Sequence, residues 1–306
     1  MRKNVLVVGA TGGLGFEITK ALIAIGAEVT AMVRSTSNRS KLENLGVKNF
    51  VIGDMMNPLS LKNALSKDKA FDAIVASAAG YTGHSKGDNS KTDTIGYRNL
   101  VDASRSAEIP RFILISILES NNAAEVPHFY NKYLIERYLI EKKQPYIALR
   151  PGIFLNQPKD FILPELSKGV FPVFIPGVAT GMIYTPDLAR YAAMAATLLP
   201  DSTLNSSIDV GWEKPASGED VAAAFEKVLG KKLNVKPVFP PFVLKYILPT
   251  AALINKSVSD LIKMIRWIKK GVYISKNTEK QKTLFGELPT IEEAVTRYCR
   301  DNKLIQ

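Results

Sequence analysis

Six apolar runs punctuate the first half of the chain, and none keeps a regular alternation of polar and apolar residues. They occupy residues 4–9 (NVLVVG), 28–34 (EVTAMVR), 49–54 (NFVIGD), 72–77 (DAIVAS), 111–116 (RFILIS) and 145–150 (PYIALR). A strand with one wet face alternates, whereas a strand covered on both faces does not. Between the runs lie stretches with helical spacing. In 13–26, Phe16, Leu22 and Ile23 can share the core side; in 92–107, the apolar positions are Ile95, Leu100, Val101 and Ala103. Buried strands separated by helices predict a parallel sheet covered on both faces, the doubly wound α/β fold. A ligand of such a sheet belongs at the carboxyl ends of its strands.

At the first of those ends stands GATGGLG, with Gly9, Gly12 and Gly15 spaced three apart between strand and helix. The turn needs residues free of Cβ clashes, and a pyrophosphate needs backbone N–H groups brought close. Gly9, Thr11, Gly12, Gly13, Leu14 and Gly15 are therefore the expected dinucleotide cradle. A site for NAD usually ends its second strand with Asp or Glu, to accept from the ribose 2′-hydroxyl. This chain has MVRSTSNRSK instead, with Arg34, Arg39 and Lys41 and no acid before Glu43. Guanidinium groups suit a 2′-phosphate, so NADPH is expected in preference to NADH. Asp54 and Met55 fall where the third strand would frame the adenine. Ala78 and Ala79, within SAAG, give a small-residue passage beside the fourth strand.

Composition removes several alternatives. A single cysteine, Cys299, excludes an internal disulfide framework, and with two histidines it leaves little for a metal site; none is expected. The apolar run after Met1-Arg2-Lys3 is too short for a signal peptide, so the chain reads as intracellular, in the cytoplasm. Residues 231–282 hold twelve Lys or Arg against Asp260 and Glu279, a local +10 that leaves the rest of the +11 chain near balance. No zinc-finger spacing or RNA-binding aromatic motif accompanies that charge, and no nucleic-acid partner is expected.

These pieces resemble the short-chain dehydrogenase/reductase superfamily, and within it the atypical branch of NmrA-like, isoflavone-reductase-like and divinyl-chlorophyllide-reductase-like proteins. The matching stretches are GATGGLG, MVR, GDMMNPLSLKNAL, DTIGYRNLVDAS, RFILIS, NKYLIERYL and IALRPGIF, with IYTPDLARYAA and LFGELPTIEEAV further on. The resemblance implies that Lys132 lies near the nicotinamide ribose and that Pro151, Gly152 and Ile153 pass by the nicotinamide. It also implies that Ser116 stands near the reacting substrate.

One feature departs from that pattern. The superfamily places a tyrosine four residues before the lysine, but PHFYNK has His128 there and Tyr130 only two residues before Lys132. Residues four apart share a helical face, while residues two apart lie about 160–200° away. If the helix already runs at 128, His128 shares the face of Lys132 and its imidazole, with an unperturbed pKa of about 6.5, can pass a proton. If His128 caps or precedes a helix that starts near Pro127, it does no chemistry.

Residues 1–152 are expected to form the NAD(P)-binding domain. Residues 153–306 form a smaller, mostly helical substrate part, with about 183–210 returning to the core. Ser217 and Asp220 read as the start of a helix that Gly230 stops. In 256–270, Val258, Leu261, Ile262, Ile265 and Ile268 fall at helical spacing among Lys263, Arg266, Lys269 and Lys270. Such a basic amphipathic helix is a lid on an apolar pocket or a peripheral membrane contact. Either suits a large, apolar substrate among small molecules. Three readings stay open: an NADPH-dependent reductase of a carbonyl or conjugated double bond, a dinucleotide-sensing regulator without turnover, and an NAD(P)-using epimerase, dehydratase or electron-transfer assembly factor.

Overall fold

The computed structural model describes residues 2–66, 68, 70–80, 91–156 and 159–306. It divides into two compact units: Met1–Ser120 with His128–Arg150 and Pro186–Ile208, and Asn121–Pro127 with Pro151–Thr185 and Asp209–Gln306.

A seven-stranded sheet organises the first unit. Its strands are β1 (Asn4–Val8), β2 (Glu28–Val33), β3 (Asn49–Ile52), β4 (Ala73–Ala76), β5 (Phe112–Ile115), β6 (Tyr146–Pro151) and β7 (Ser206–Val210). Their spatial order is β7-β6-β5-β4-β1-β2-β3, and the pairings from β3 through β6 are all parallel. Each expected apolar run has become a strand, and the late segment rejoins the sheet as β7 beside β6. Every residue of β4 and β5 is buried, which is why neither run alternates. Chain order reverses between β1 and β4, the crevice where a doubly wound sheet takes its ligand.

The helices refine the sequence reading. In α1 (Gly13–Ala24) the buried face is Leu14, Gly15, Ile18, Thr19 and Leu22. Phe16 and Ile23, expected on the core side, are only half-buried at its flanks. Helix α2 (Tyr97–Ser106) is entered through a π-helical turn, Thr92–Gly96. The wider turn shifts the register, so Ile95 is 49% exposed, and Asp93, Tyr97, Leu100 and Val101 point inward. Helix α3 (Pro127–Glu141) buries Phe129, Lys132, Ile135, Glu136 and Leu139, so two charged residues lie on its inner face. Helix α4 (Thr185–Thr197) presents the Ala195 carbonyl of its last turn to Arg111, whose Nη1 donates to it at 2.8 Å and to the Leu199 carbonyl just beyond the helix at 2.7 Å.

The second unit is mostly helical and has its own core, in which the Phe225 ring lies 5.4 Å from both Phe171, tilted, and Tyr298, edge-on. Helix α5 (Gly218–Leu229) begins with the expected cap: Ser217 and Asp220 form a reciprocal capping box, and Gly230 ends the helix at φ 65°. Helix α6 (Lys256–Ile268) is held at its carboxyl end, where Trp267 Nε1 donates to the Asn122 carbonyl at 3.1 Å.

Candidate active site

The turn after β1 is shaped by two close approaches. Gly9 has φ +89°, and a Cβ there would lie 2.7 Å from the Ala78 nitrogen. A Cβ on Gly15 would lie 2.0 Å from the Gly9 carbonyl oxygen, so α1 packs directly on the turn. Gly12 donates its N–H to that same oxygen at 3.0 Å. Thr11, Gly12 and Gly13 are exposed while Leu14 is buried. Helix α1 has no side-chain cap and no acid in its first turn. Its leading N–H groups and positive dipole end therefore suit an anion, and the residues present fit a dinucleotide pyrophosphate.

Arg34 leaves β2 exposed, in a tight turn where it exchanges hydrogen bonds with Ser37: its N–H donates to Ser37 Oγ at 3.1 Å, and its carbonyl accepts from the Ser37 N–H at 2.9 Å. Asp54 is also exposed, and its Oδ1 accepts from the Met56 N–H at 2.9 Å. Met55 is turned inward: it joins the core cluster of the sheet, and its carbonyl accepts from Asn99 Nδ2 at 2.9 Å. After β4, Ala78 is half-buried against Gly9, and Ala79 is exposed.

Lys132 lies beside Ala78. Its ammonium is 3.0 Å from Asp93 Oδ1, donates to the Ala78 carbonyl at 3.3 Å, and stands 4.0 Å from the centre of the Tyr97 ring. The lysine and aspartate side chains are 6% and 4% exposed. The other Asp93 oxygen accepts from the Gly80 N–H at 2.9 Å, and the Tyr97 hydroxyl donates to the Ala78 carbonyl at 2.5 Å. Burial pushes the Tyr97 phenol above its ordinary pKa, with the nearby Lys132 charge opposing. Burial alone would depress the Lys132 ammonium, but Tyr97 and Asp93 outweigh it and hold its pKa above that of a free lysine. The result is a fixed positive charge at the carboxyl end of β4.

One turn further along α3, Glu136 gathers a second cluster. It accepts from Ser116 Oγ at 2.5 Å and Ser207 Oγ at 2.7 Å, and pairs with Arg150 at 2.5 Å. Ser116, expected near the substrate, is thus buried with its hydroxyl committed to Glu136. Since α3 already runs at residue 128, His128 and Lys132 stand one turn apart on one face, and Tyr130 is turned about 200° away, against Tyr133. His128 is half-buried with its ring edge-on to Phe129 at 4.6 Å. Pro151, Gly152 and Ile153 fall at the border of the second unit, where a Cβ on Gly152 would meet the Gly181 carbonyl oxygen at 2.0 Å. Asp93, Tyr97, Glu136 and Arg150 were not singled out by sequence pattern; a π-turn and tertiary pairing bring them in. Among the described residues, no cluster of three or more His, Cys, Asp or Glu could hold a metal.

Known proteins agree with this architecture. The chain is 29% identical over 238 residues to the photosystem II assembly factor Ycf39 of Guillardia theta, covering 77% of this chain and 73% of that protein. It is 28% identical over 247 residues to the factor of the same name from Synechocystis sp., covering 79% and 72%. Among solved structures, the NADPH-dependent quinone oxidoreductase QOR2 of Escherichia coli, complexed with NADPH, superposes with a TM-score of 0.75 at 18% identity, covering 96% of this chain and 99% of that one. The Citrobacter sp. triphenylmethane reductase does so with a TM-score of 0.75 at 20% identity, covering 97% and 99%. At such identities the structures speak for the fold alone. The family is shown by a match that runs through residues 1–295: the chain belongs to the NmrA-like family.

Proposed function

We propose that this protein is an NADPH-dependent oxidoreductase that reduces a carbonyl or conjugated double bond of an apolar small molecule. The observation that carries this reading is the buried Lys132 ammonium, set on Ala78 where Ala78 meets the glycine turn. Two fold neighbours bear names that specify a quinone oxidoreductase with NADPH and a triphenylmethane reductase. A bound NADPH would supply the hydride. In this reading the backbone of Thr11, Gly12 and Gly13 takes the pyrophosphate, and Arg34 takes the 2′-phosphate. Lys132 holds ribose hydroxyls and steadies negative charge as it develops on the substrate. The test is loss of NADPH absorbance with a panel of quinones and enones. Binding without oxidation across the panel would reject the reductase reading.

Arg34→Ala is expected to weaken NADPH by ~1.5–3 kcal/mol, the scale of a lost charge-assisted hydrogen bond, with NADH nearly unchanged. Fluorescence titration of both cofactors checks this. Equal losses would assign the guanidinium to the adenine instead.

Two variants on helix α3 test the proton source. Tyr130→Phe should leave most activity, since its hydroxyl faces away from Lys132. His128→Ala should cost only a few-fold, because a conjugated double bond takes hydride first and its proton later from solvent. A fall in turnover of about 10²–10³ in the His128 variant would instead make the imidazole the general acid.

A second reading, binding of the dinucleotide without turnover, is favoured by a specific observation. The Ser116 hydroxyl is bound to Glu136 and the superfamily's tyrosine is replaced, which leaves Lys132 with no hydroxyl partner beside it on α3. Stoichiometric NADPH binding with no oxidation would establish this second reading.

A further inference from the structure

An apolar stretch of the second unit is incompletely covered. From residue 234 to 264 not one residue is buried, although 240–254 reads PPFVLKYILPTAALI. The stretch folds into a π-helical turn, Val243–Ile247, a short helix, Leu248–Ala252, and then α6. At the bend between the last two, Leu253 is 84% and Ile254 is 92% exposed; Phe242, Tyr246 and Ile247 are more than half exposed. Of the five apolar residues at helical spacing in α6, only Ile265 and Ile268 are buried, beside Trp267. The helix is therefore anchored at its carboxyl end and only partly covered over residues 258–262. An exposed apolar surface on this scale marks an interaction site.

Charge decides what occupies it. Lys245, Lys256, Lys263, Arg266 and Lys269 are exposed along the same stretch, and the acid within it, Asp260, lies 3.7 Å from Lys263. A second copy of the chain would bring the same positive charge against this one, which repels. Among the described residues no helix is long and apolar enough to cross a membrane. Apolar side chains inserted at the headgroup boundary, with Lys and Arg toward phosphate, are the chemistry of an interfacial anchor. We propose that residues 242–269 dock this protein on an anionic lipid surface, with Leu253 and Ile254 as the inserted tip. The inference is independent of the reductase reading.

The test uses the full chain and sedimentation with vesicles of phosphatidylcholine alone or of equal parts phosphatidylcholine and phosphatidylglycerol. Binding is expected to the anionic vesicles only, and to fade with added salt. The double variant Leu253→Glu/Ile254→Glu should bind about a hundredfold or more weakly, since burying each side chain is worth about tenfold or more. Lys256→Ala and Lys269→Ala should each cost about fivefold, the worth of one basic residue near an anionic surface. Unchanged circular dichroism and unfolding midpoints verify that these exposed positions leave the fold intact. A fluorophore on Ile254→Cys should shift to the blue on anionic vesicles, while the buried Cys299 stays unlabelled. Failure to bind anionic vesicles overturns the proposal, as does equal binding to both kinds. So does a lipid-free dimer that Leu253→Glu/Ile254→Glu dissolves, which would give the surface to a second copy.

Discussion

Lys132→Ala should destabilise the protein by about 3–5 kcal/mol, the usual cost of leaving one partner of a buried ion pair without the other. The side chains of Asp93 and Lys132 are both almost fully buried, so water cannot replace the lost ammonium. Asp93→Leu should be similarly costly, because it strands the ammonium and leaves the Gly80 N–H without its carboxylate. The double variant Lys132→Met/Asp93→Leu should recover most of the lost stability, since a well-packed apolar pair often matches a buried ion pair. Urea unfolding at neutral pH measures all three. The folded chain raises the Lys132 pKa, so the pair's contribution is whole below the free-lysine range and is lost as pH climbs through the folded value. Turnover separates structure from chemistry. On the reductase reading it falls by about 10²–10³ in every variant lacking Lys132, as when a fixed electrostatic donor is removed. A double variant that is stable and still oxidises NADPH at the original rate would leave the lysine a purely structural role.

Gly15→Ala should be severely damaging, as close a backbone collision as a methyl on Gly152 would make. The added carbon would lie 2.0 Å from the Gly9 carbonyl oxygen and 2.6 Å from its carbon, both backbone atoms that no rotamer change can move. Helix α1 would have to lift off β1, at a cost of about 3 kcal/mol or more. Gly12→Ala is the informative contrast. Its methyl would approach the same oxygen only to 3.3 Å, which a small shift accommodates. That variant should unfold nearly like the parent and, on the proposed cofactor reading, lose NADPH affinity about tenfold or more, because the methyl would stand where the pyrophosphate approaches backbone N–H groups. Paired thermal melts and cofactor titrations check both. A Gly12→Ala protein that binds NADPH normally would remove the pyrophosphate from this turn.

The strands could be read from sequence because burial on both faces erases alternation, and residues 73–76 and 112–115 are buried throughout. The glycine turn was legible for a related reason: its constraint is local, set by residues that must lack a side chain. The charged partners that gather on helix α3, Asp93 and Glu136 among them, were not. Asp93 becomes an inward residue only because the turn at Thr92–Gly96 is π-helical, which apolar spacing of 3.6 residues does not reveal; the same turn carries Ile95 to the surface. Glu136, within NKYLIERYL, looks like one more solvated charge until Ser116, Arg150 and Ser207 arrive from three separate strands or strand ends. The helix at 256–268 was visible as an amphipathic pattern, but sequence could not tell which part of its apolar face the fold would cover.

Lys132 and Glu136 together do something that neither does alone. A helix held by one buried polar contact can still pivot about it, or slide along its axis until another residue takes the contact's place. Helix α3 is gripped one turn apart, by Asp93, Ala78 and Tyr97 at the first position and by Ser116, Arg150 and Ser207 at the second. Two grips at different heights remove both rotation and translation, and each is selective because its partners demand one sign of charge. The azimuth of the helix is thereby set by chemistry rather than by apolar packing, which tolerates small slips. A deletion or insertion between residues 132 and 136 would turn one grip by about 100° relative to the other, so that the two could no longer close together.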